Sequence, residues 1–124
     1  MKWNMARIRG PKDGLKWFDE LPCSVTICDR NYKILYMNDR AAENTTDDGG
    51  RALIGKNLLD CHPPKAQKRL REVMASKQPN IYTAEKNGVK KMVFQSQWRK
   101  NGRVGGLVEL YFELPKDIPN FKRK

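Results

Sequence analysis

The sequence predicts an α+β domain: a five-stranded antiparallel sheet in which two strands come first, short helices follow, and three strands close the chain. Three observations carry that prediction. Two alternating runs, Ser24 to Asp29 and Tyr32 to Met37, flank the turn residues Asp29-Arg30-Asn31 and read as a hairpin. The middle of the chain, from Asp39 to Met74, has helical rather than alternating spacing. Two Asn-Gly pairs, Asn87-Gly88 and Asn101-Gly102, divide the last third into hairpins, because such pairs accept positive φ at low cost.

Ahead of the first strand, Leu15, Phe18 and Leu21 recur at three-residue intervals behind a capping residue, Asp13, and stop at Pro22. That spacing predicts a short flanking helix. Asn38 is a good N-cap, and Asp39 follows where the helix dipole favours an anion, so a short helix is expected over Asp39 to Glu43. Thr45 to Gly50 reads as a polar loop and is expected to be the most mobile internal segment. Ala52 to Asp60 is expected to form a second short helical piece. Pro63-Pro64 opens a third helix, since proline at the first turn removes only an N–H that would be unpaired anyway. On that helix Ala66, Leu70, Val73 and Met74 share one face, while Lys65, Lys68, Arg69, Arg71 and Glu72 cover the other. Pro79 ends the connection, and strands are expected over Ile81 to Lys86, Lys90 to Lys100 and Arg103 to Leu114.

The chain has 124 residues, 39% hydrophobic and 31% charged, enough for one soluble domain with one core. No apolar run approaches membrane-span length, and no apolar stretch follows the N-terminal cations as a secretory signal would require. Cys23, Cys28 and Cys61 are an odd number without framework spacing, which reads as reduced thiols in a cytoplasmic protein. The net charge of +11 is uneven. Residues 1–16 hold five cations and one anion and residues 116–124 hold four and one, so the flanks account for +7 of it. The expected organisation is therefore a basic segment over 1–14, a domain over 15–115 and a basic tail over 116–124. Basic flanks without a zinc-finger spacing, an RNP-like strand or a helix-turn-helix argue against specific nucleic-acid binding. A basic nucleic-acid-associated regulator, as a fragment of a transcription factor, is the alternative class.

Several segments resemble the PAS family. The stretch LPCSVTICDRNYKILYMNDRAAENTT is similar to the opening PAS hairpin, with strands ending in Asp29 and Asn38 and a short helix holding Ala41, Ala42 and Glu43. LIGKNLLDCHPP resembles the junction between the small helices and the long one, and KNGRVGGLVELYFELP resembles the last hairpin. Together these cover roughly residues 15–115. The resemblance implies a PAS fold with short helices between strands two and three, an N-terminal flanking helix, and a pocket between one sheet face and the helices. It further implies dimerisation through the other face, and a sensory, signal-transducing role that depends on a small ligand or a partner protein.

His62 is the single histidine. Some PAS domains hold haem through a histidine on the long helix, which makes His62 a candidate ligand and a haem sensor an alternative function. Its place directly before Pro63-Pro64 favours a structural role at the mouth of the helix. Flavin photosensors of this family use an Asn-Cys pair, where this chain has Asn57-Leu58; with leucine at the reactive position an adduct-forming flavin is disfavoured, and Cys61 stands nearly a turn away. No catalytic triad pattern and no paired CxxC or HxxxH metal motif appears, so neither enzyme chemistry nor a metal site is expected. Gly105-Gly106 precedes a strand rather than a helix, and so marks a bend or close backbone approach instead of a phosphate loop.

Alternation along the strands completes the expected site. Placed on the family pattern, Thr26, Cys28, Leu58, Met92, Phe94, Ser96, Leu107, Glu109 and Tyr111 are assigned to the ligand pocket. Glu109 is expected among apolar neighbours, with Tyr111 and Ser96 as hydrogen-bond donors to it, a setting suited to a small apolar ligand with one polar end. Val108, Leu110 and Phe112 then face outward, and with Trp17 and Phe18 they form the candidate homodimer interface.

Overall fold

In the computed structural model, which describes residues 16–124, the sheet is built from its turns outward. Asn87 and Asn101 adopt φ of 54° and 53°, and the glycines after them 78° and 77°, so both Asn-Gly pairs close tight hairpins. These hairpins join β3 (Asn80–Lys86), β4 (Val89–Lys100) and β5 (Arg103–Glu113). The first hairpin pairs β1 (Ser24–Asp29) with β2 (Ile34–Met37). Its turn is held by Asp29, whose Oδ1 accepts from the N–H of Asn31 at 2.8 Å and of Lys33 at 3.0 Å. Because β1 also pairs antiparallel with β5, the sheet order is β2-β1-β5-β4-β3, and β3 is an edge strand.

Three α-helices are present among the described residues: α1 (Lys16–Asp19), α2 (Asp39–Asn44) and α3 (Pro64–Met74). The expected cap at Asp13 lies outside the described residues. Between α2 and α3 the chain departs from the sequence reading. The Thr45 to Gly50 segment folds into a 3-10 turn, Thr46–Asp48, rather than an irregular loop. The helix expected over Ala52 to Asp60 is two 3-10 turns, Gly50–Leu53 and Leu58–Cys61, separated by a turn through Gly55. Gly55, at φ 94°, interrupts helical continuity, and Asn57 bridges to Lys33 at the β1–β2 hairpin.

Asn38 organises the N-terminal half. Its Oδ1 caps α2 by accepting from Ala41 N–H at 3.0 Å, as its position predicts, and also accepts from Val25 N–H at 3.0 Å. Its Nδ2 donates to the carbonyls of Phe18 and Cys23 at 2.9 and 2.7 Å. One fully buried amide thus ties α1, β1 and α2 together.

The sheet separates two hydrophobic clusters. Beneath the helices, Cys28 and Leu107 pack with Ile34, Met37, Leu58, Leu70 and Val73. On the opposite face Val25, Ile27 and Tyr36 pack with Phe18, Trp98, Val108 and Leu110. Helix α1 covers part of this outer face, and Tyr36 donates from its hydroxyl to Asp19 Oδ1 at 2.5 Å. Burial, then that bond to Asp19, pushes the Tyr36 phenol well above its ordinary range.

One register feature overturns part of the expected site. An unbroken continuation of the Lys100–Arg103 pair would set Ser96 opposite Leu107, Phe94 opposite Glu109 and Met92 opposite Tyr111. Instead a bulge between Trp98 and Arg99 leaves Gly105 as an extra residue on β5. Beyond it Gln97, Gln95 and Val93 stand opposite Leu107, Glu109 and Tyr111. Met92, Phe94 and Ser96 therefore join the outer face beside Phe112, Leu110 and Val108. Both glycines are used. A Cβ on Gly105 would meet the Trp98 ring at 2.0 Å, and one on Gly106 would meet the Cys28 carbonyl oxygen at 1.9 Å. The close approach expected at this pair is present, and the Trp98 indole donates to that same carbonyl at 2.8 Å.

Candidate functional site: a cavity between sheet and helices

The inner sheet face and the helical segment enclose a cavity of about 250 Å³. Its floor consists of Thr26 from β1, Glu109 and Tyr111 from β5, and Val93 and Tyr82 from β4 and β3. Ile34, Met37, Leu53 and Leu58 form an apolar wall, and Thr45, Asp48, Cys61 and His62 stand around the rest. Of the residues assigned from sequence, Thr26, Leu58, Glu109 and Tyr111 line this cavity. Cys28 and Leu107 share its sheet face but are buried in the core cluster with Leu70 and Val73. Met92, Phe94 and Ser96 do not reach it, because the bulge turns them outward. Val93, Tyr82, the β2 residues Ile34 and Met37 and the helical-segment residues other than Leu58 escaped the sequence reading; the pair Gly105-Gly106 was the available signal for the first.

Glu109 is polar company for an apolar wall, and its partner is not the expected one. Gln95 Nε2 donates to Glu109 Oε2 at 2.7 Å. Ser96 points away, and the Tyr111 hydroxyl accepts from Lys91 Nζ at 3.4 Å, with the ammonium 4.7 Å from its ring centroid. Gln95 is itself held: Asn80 Nδ2 donates to its Oε1 at 2.8 Å, and Arg69 Nε donates to Asn80 Oδ1 at 3.1 Å. Gln95 and Asn80 are both buried, so an inner sheet face that reads as partly polar is polar by connection rather than by exposure.

The thiols here are poor nucleophiles. Burial pushes Cys28 up to about 11, with Asp29 and Glu109 adding to it. Burial also raises Cys61, and the carboxylates of Asp48 and Asp60 oppose its thiolate further. His62 places Nδ1 2.9 Å from the Leu58 carbonyl oxygen, which holds the ring at the entrance of α3. The cavity, at about 250 Å³, is smaller than the ~300–1,000 Å³ of pockets that enclose drug-sized ligands. His62 and Tyr82 also line a wider groove of about 650 Å³ between α3 and β3, rimmed by Lys65, Lys68 and Arg69.

An antiparallel sheet in the order 2-1-5-4-3, with α2, α3 and the 3-10 turns over one face around a small cavity and α1 against the other, defines an α+β scaffold. A family model described as PAS fold matches residues 18–111, and the chain belongs to that family. No curated protein matches the chain. Among solved structures it is similar to the Vibrio cholerae VqmA dimer, at 18% identity and TM-score 0.63, covering 85% of this chain and 52% of that one. It is also similar to the PAS domain of BvgS from Bordetella pertussis (15% identity, TM-score 0.59, 84% and 88% covered). A third likeness is to the Aer2 receptor of Vibrio cholerae, described as a dual PAS-heme oxygen sensor (15%, 0.59, 75% and 95%). Among the described residues no helix is long and apolar enough to cross a membrane.

Proposed function

We propose that this chain is a sensory module of signal transduction, which holds a small ligand in the inner cavity and signals through association of its outer face. The observation that carries the reading is the cavity itself: the Glu109 carboxylate, fixed by Gln95 on the sheet floor, faces an apolar wall of Ile34, Met37, Leu53 and Leu58, with Asp48 and His62 among the residues that complete the lining. Such a chamber suits a small molecule, mostly apolar, with one polar end. The outer face supplies the second half. Ile81, Phe94, Leu110 and Val25 form a row across four strands, and Ile81 and Phe112 remain 55% and 39% exposed. A row of that kind matches a homodimer interface, and a dimer is what the structure of VqmA is described as. The raised thiols of Cys28 and Cys61 fit a binding module rather than a nucleophilic enzyme. Three unpaired cysteines fit a reducing, cytoplasmic setting.

Native mass spectrometry on protein purified without added cofactor tests both halves together. The expected spectrum shows a dimer, with a small-molecule mass increment that disappears on gentle activation. A monomer at high micromolar concentration would sink the association half. A dimer with no retained or acceptable small molecule, across a fragment screen, would sink the ligand half.

A further inference from the structure

The chain of hydrogen bonds behind Glu109 has a direction that chemistry sets at both ends. An arginine can only donate and a carboxylate can only accept. Arg69 Nε donates to Asn80 Oδ1, so the other end of the Asn80 amide must donate, and it does so to Gln95 Oε1. Gln95 is then left with its Nε2 facing Glu109 Oε2. The amides cannot reverse without setting donor against donor at Arg69 or acceptor against acceptor at Glu109. Of the Glu109 oxygens, Oε2 is thus used internally. Among the described residues Oε1 makes no hydrogen bond, and Glu109 lines the cavity.

We propose that Arg69, Asn80 and Gln95 are positioning residues that make the cavity selective for a small ligand ending in a hydrogen-bond donor, best a cationic amine or amidine, and that they reject carboxylates. The inference rests on the cavity being the ligand site and adds the chemistry of the ligand. Glu109 Oε1 accepts from the ligand's donor end, while Leu53 and Leu58 on the opposite wall take its apolar body. About 250 Å³ is roughly eight waters' worth of space at ~30 Å³ each, so the ligand is no larger than one ring with a short substituent. The net charge of +11 favours anions over the molecule as a whole. A preference for cations must therefore arise locally, from the carboxylates that line the cavity: Glu109 on its floor and Asp48 at its margin.

Three probes of matched shape test this by amide-resonance titration at fixed 0.15 M ionic strength: benzamidine, benzyl alcohol and benzoate. Benzamidine is expected to shift Val93, Glu109 and Tyr111 and to bind about tenfold or more tightly than benzoate, the scale of one charge-assisted hydrogen bond. Benzyl alcohol should fall between them. Glu109→Gln should bring benzamidine and benzoate within about twofold, because an amide serves donors and acceptors alike. Arg69→Ala, at the exposed end of the chain, should lower the ratio to about threefold by removing the donor that anchors Asn80, which loosens the hold of Gln95 on Glu109. Its spectrum outside the cavity should be unchanged, and Asn80→Ala should behave alike. Benzoate binding as tightly as benzamidine, or a ratio that survives Glu109→Gln, overturns the selectivity and leaves the cavity a binding site. An Arg69→Ala ratio equal to wild type overturns the positioning role. Entry by none of the three probes overturns both this inference and the ligand reading it rests on.

Discussion

The two faces of the sheet reverse the arrangement usual for a sheet with one covered side. In most antiparallel sheets the covered face is apolar and the open face polar. Here the covered face holds Asn80, Gln95, Glu109 and Thr26 beside its apolar core, while the outer face presents Val25, Phe94, Val108, Leu110 and Phe112. The difference teaches where each face finds its partners. Asn80, Gln95 and Glu109 are bonded to one another, so they can be enclosed and still leave an acceptor for a ligand. Outer apolar groups are only partly covered by α1, which suits a surface completed by another subunit.

The largest effect is expected where both faces are tied together. Asn38 caps α2 over the inner face and holds the Phe18 carbonyl of α1 over the outer one. Asn38→Ala strands two buried N–H groups and two carbonyls. It should cost about 3 kcal/mol or more, a fall in melting temperature of roughly 15 °C by differential scanning calorimetry. A loss below about 1 kcal/mol would mean that the two layers hold independently.

A slightly smaller effect is expected where the faces are assigned. Gly106→Ala drives a Cβ into the Cys28 carbonyl, so β1 and β5 must part, at about 2–3 kcal/mol. The Trp98 indole N–H, bonded to that same carbonyl, should shift in the proton spectrum. An unchanged indole signal would show that the bulge tolerates a side chain, and the account of the two faces would lose its anchor.

That bulge also marks the limit of what the sequence discloses. Element order, both Asn-Gly hairpins, the proline-opened α3 and the Asn38 cap were legible, because each depends on local backbone chemistry. The pocket positions Thr26, Leu58, Glu109 and Tyr111 were legible through alternation and resemblance. The assignment of Met92, Phe94 and Ser96 failed by one residue, because alternation has no memory of an inserted residue and a single bulge exchanges the faces of a whole strand. Gln95 and Asn80 were illegible for another reason. They are distant in sequence from Arg69 and Glu109, and only the paired strands bring the four into one chain.

Both faces should answer to alkaline pH, the inner through the buried Cys28 thiol and the outer through the Tyr36 phenol, and the thiol acts first. Cys28 is raised from 9.0 to about 11, chiefly by burial. The folded protein therefore holds the thiol proton more tightly than the unfolded chain does. The stabilisation is complete below about pH 9, declines as pH rises through the folded value, and is gone above it. On the order of 2 kcal/mol should be lost by pH 11, and Cys28→Ala should lack that component of the alkaline limb in urea titrations. Parallel curves for the two proteins between pH 8 and 10.5 would remove the thiol from the balance.

The smallest effect on stability, and the sharpest separation of the faces, is expected from two residues with equal exposure. Phe112 and Val89 are each 39% exposed, but Phe112 stands beside Met92 in the outer row and Val89 opens β4 next to the hairpin tip. Glutamate at either place should change monomer stability by no more than about 0.5 kcal/mol, as at most exposed sites. Association should tell them apart. If the outer row is the dimer contact, Phe112→Glu buries a charge between two apolar sheets and weakens the dimer about tenfold or more, the scale of an anchor residue in an interface. Val89→Glu should leave it within about twofold. Sedimentation equilibrium across 1–200 μM, roughly the range in which such a tenfold change is read directly, decides between them. Equal weakening by both variants would trace the effect to added charge. No weakening by Phe112→Glu would move the interface away from this face and leave its apolar row unexplained.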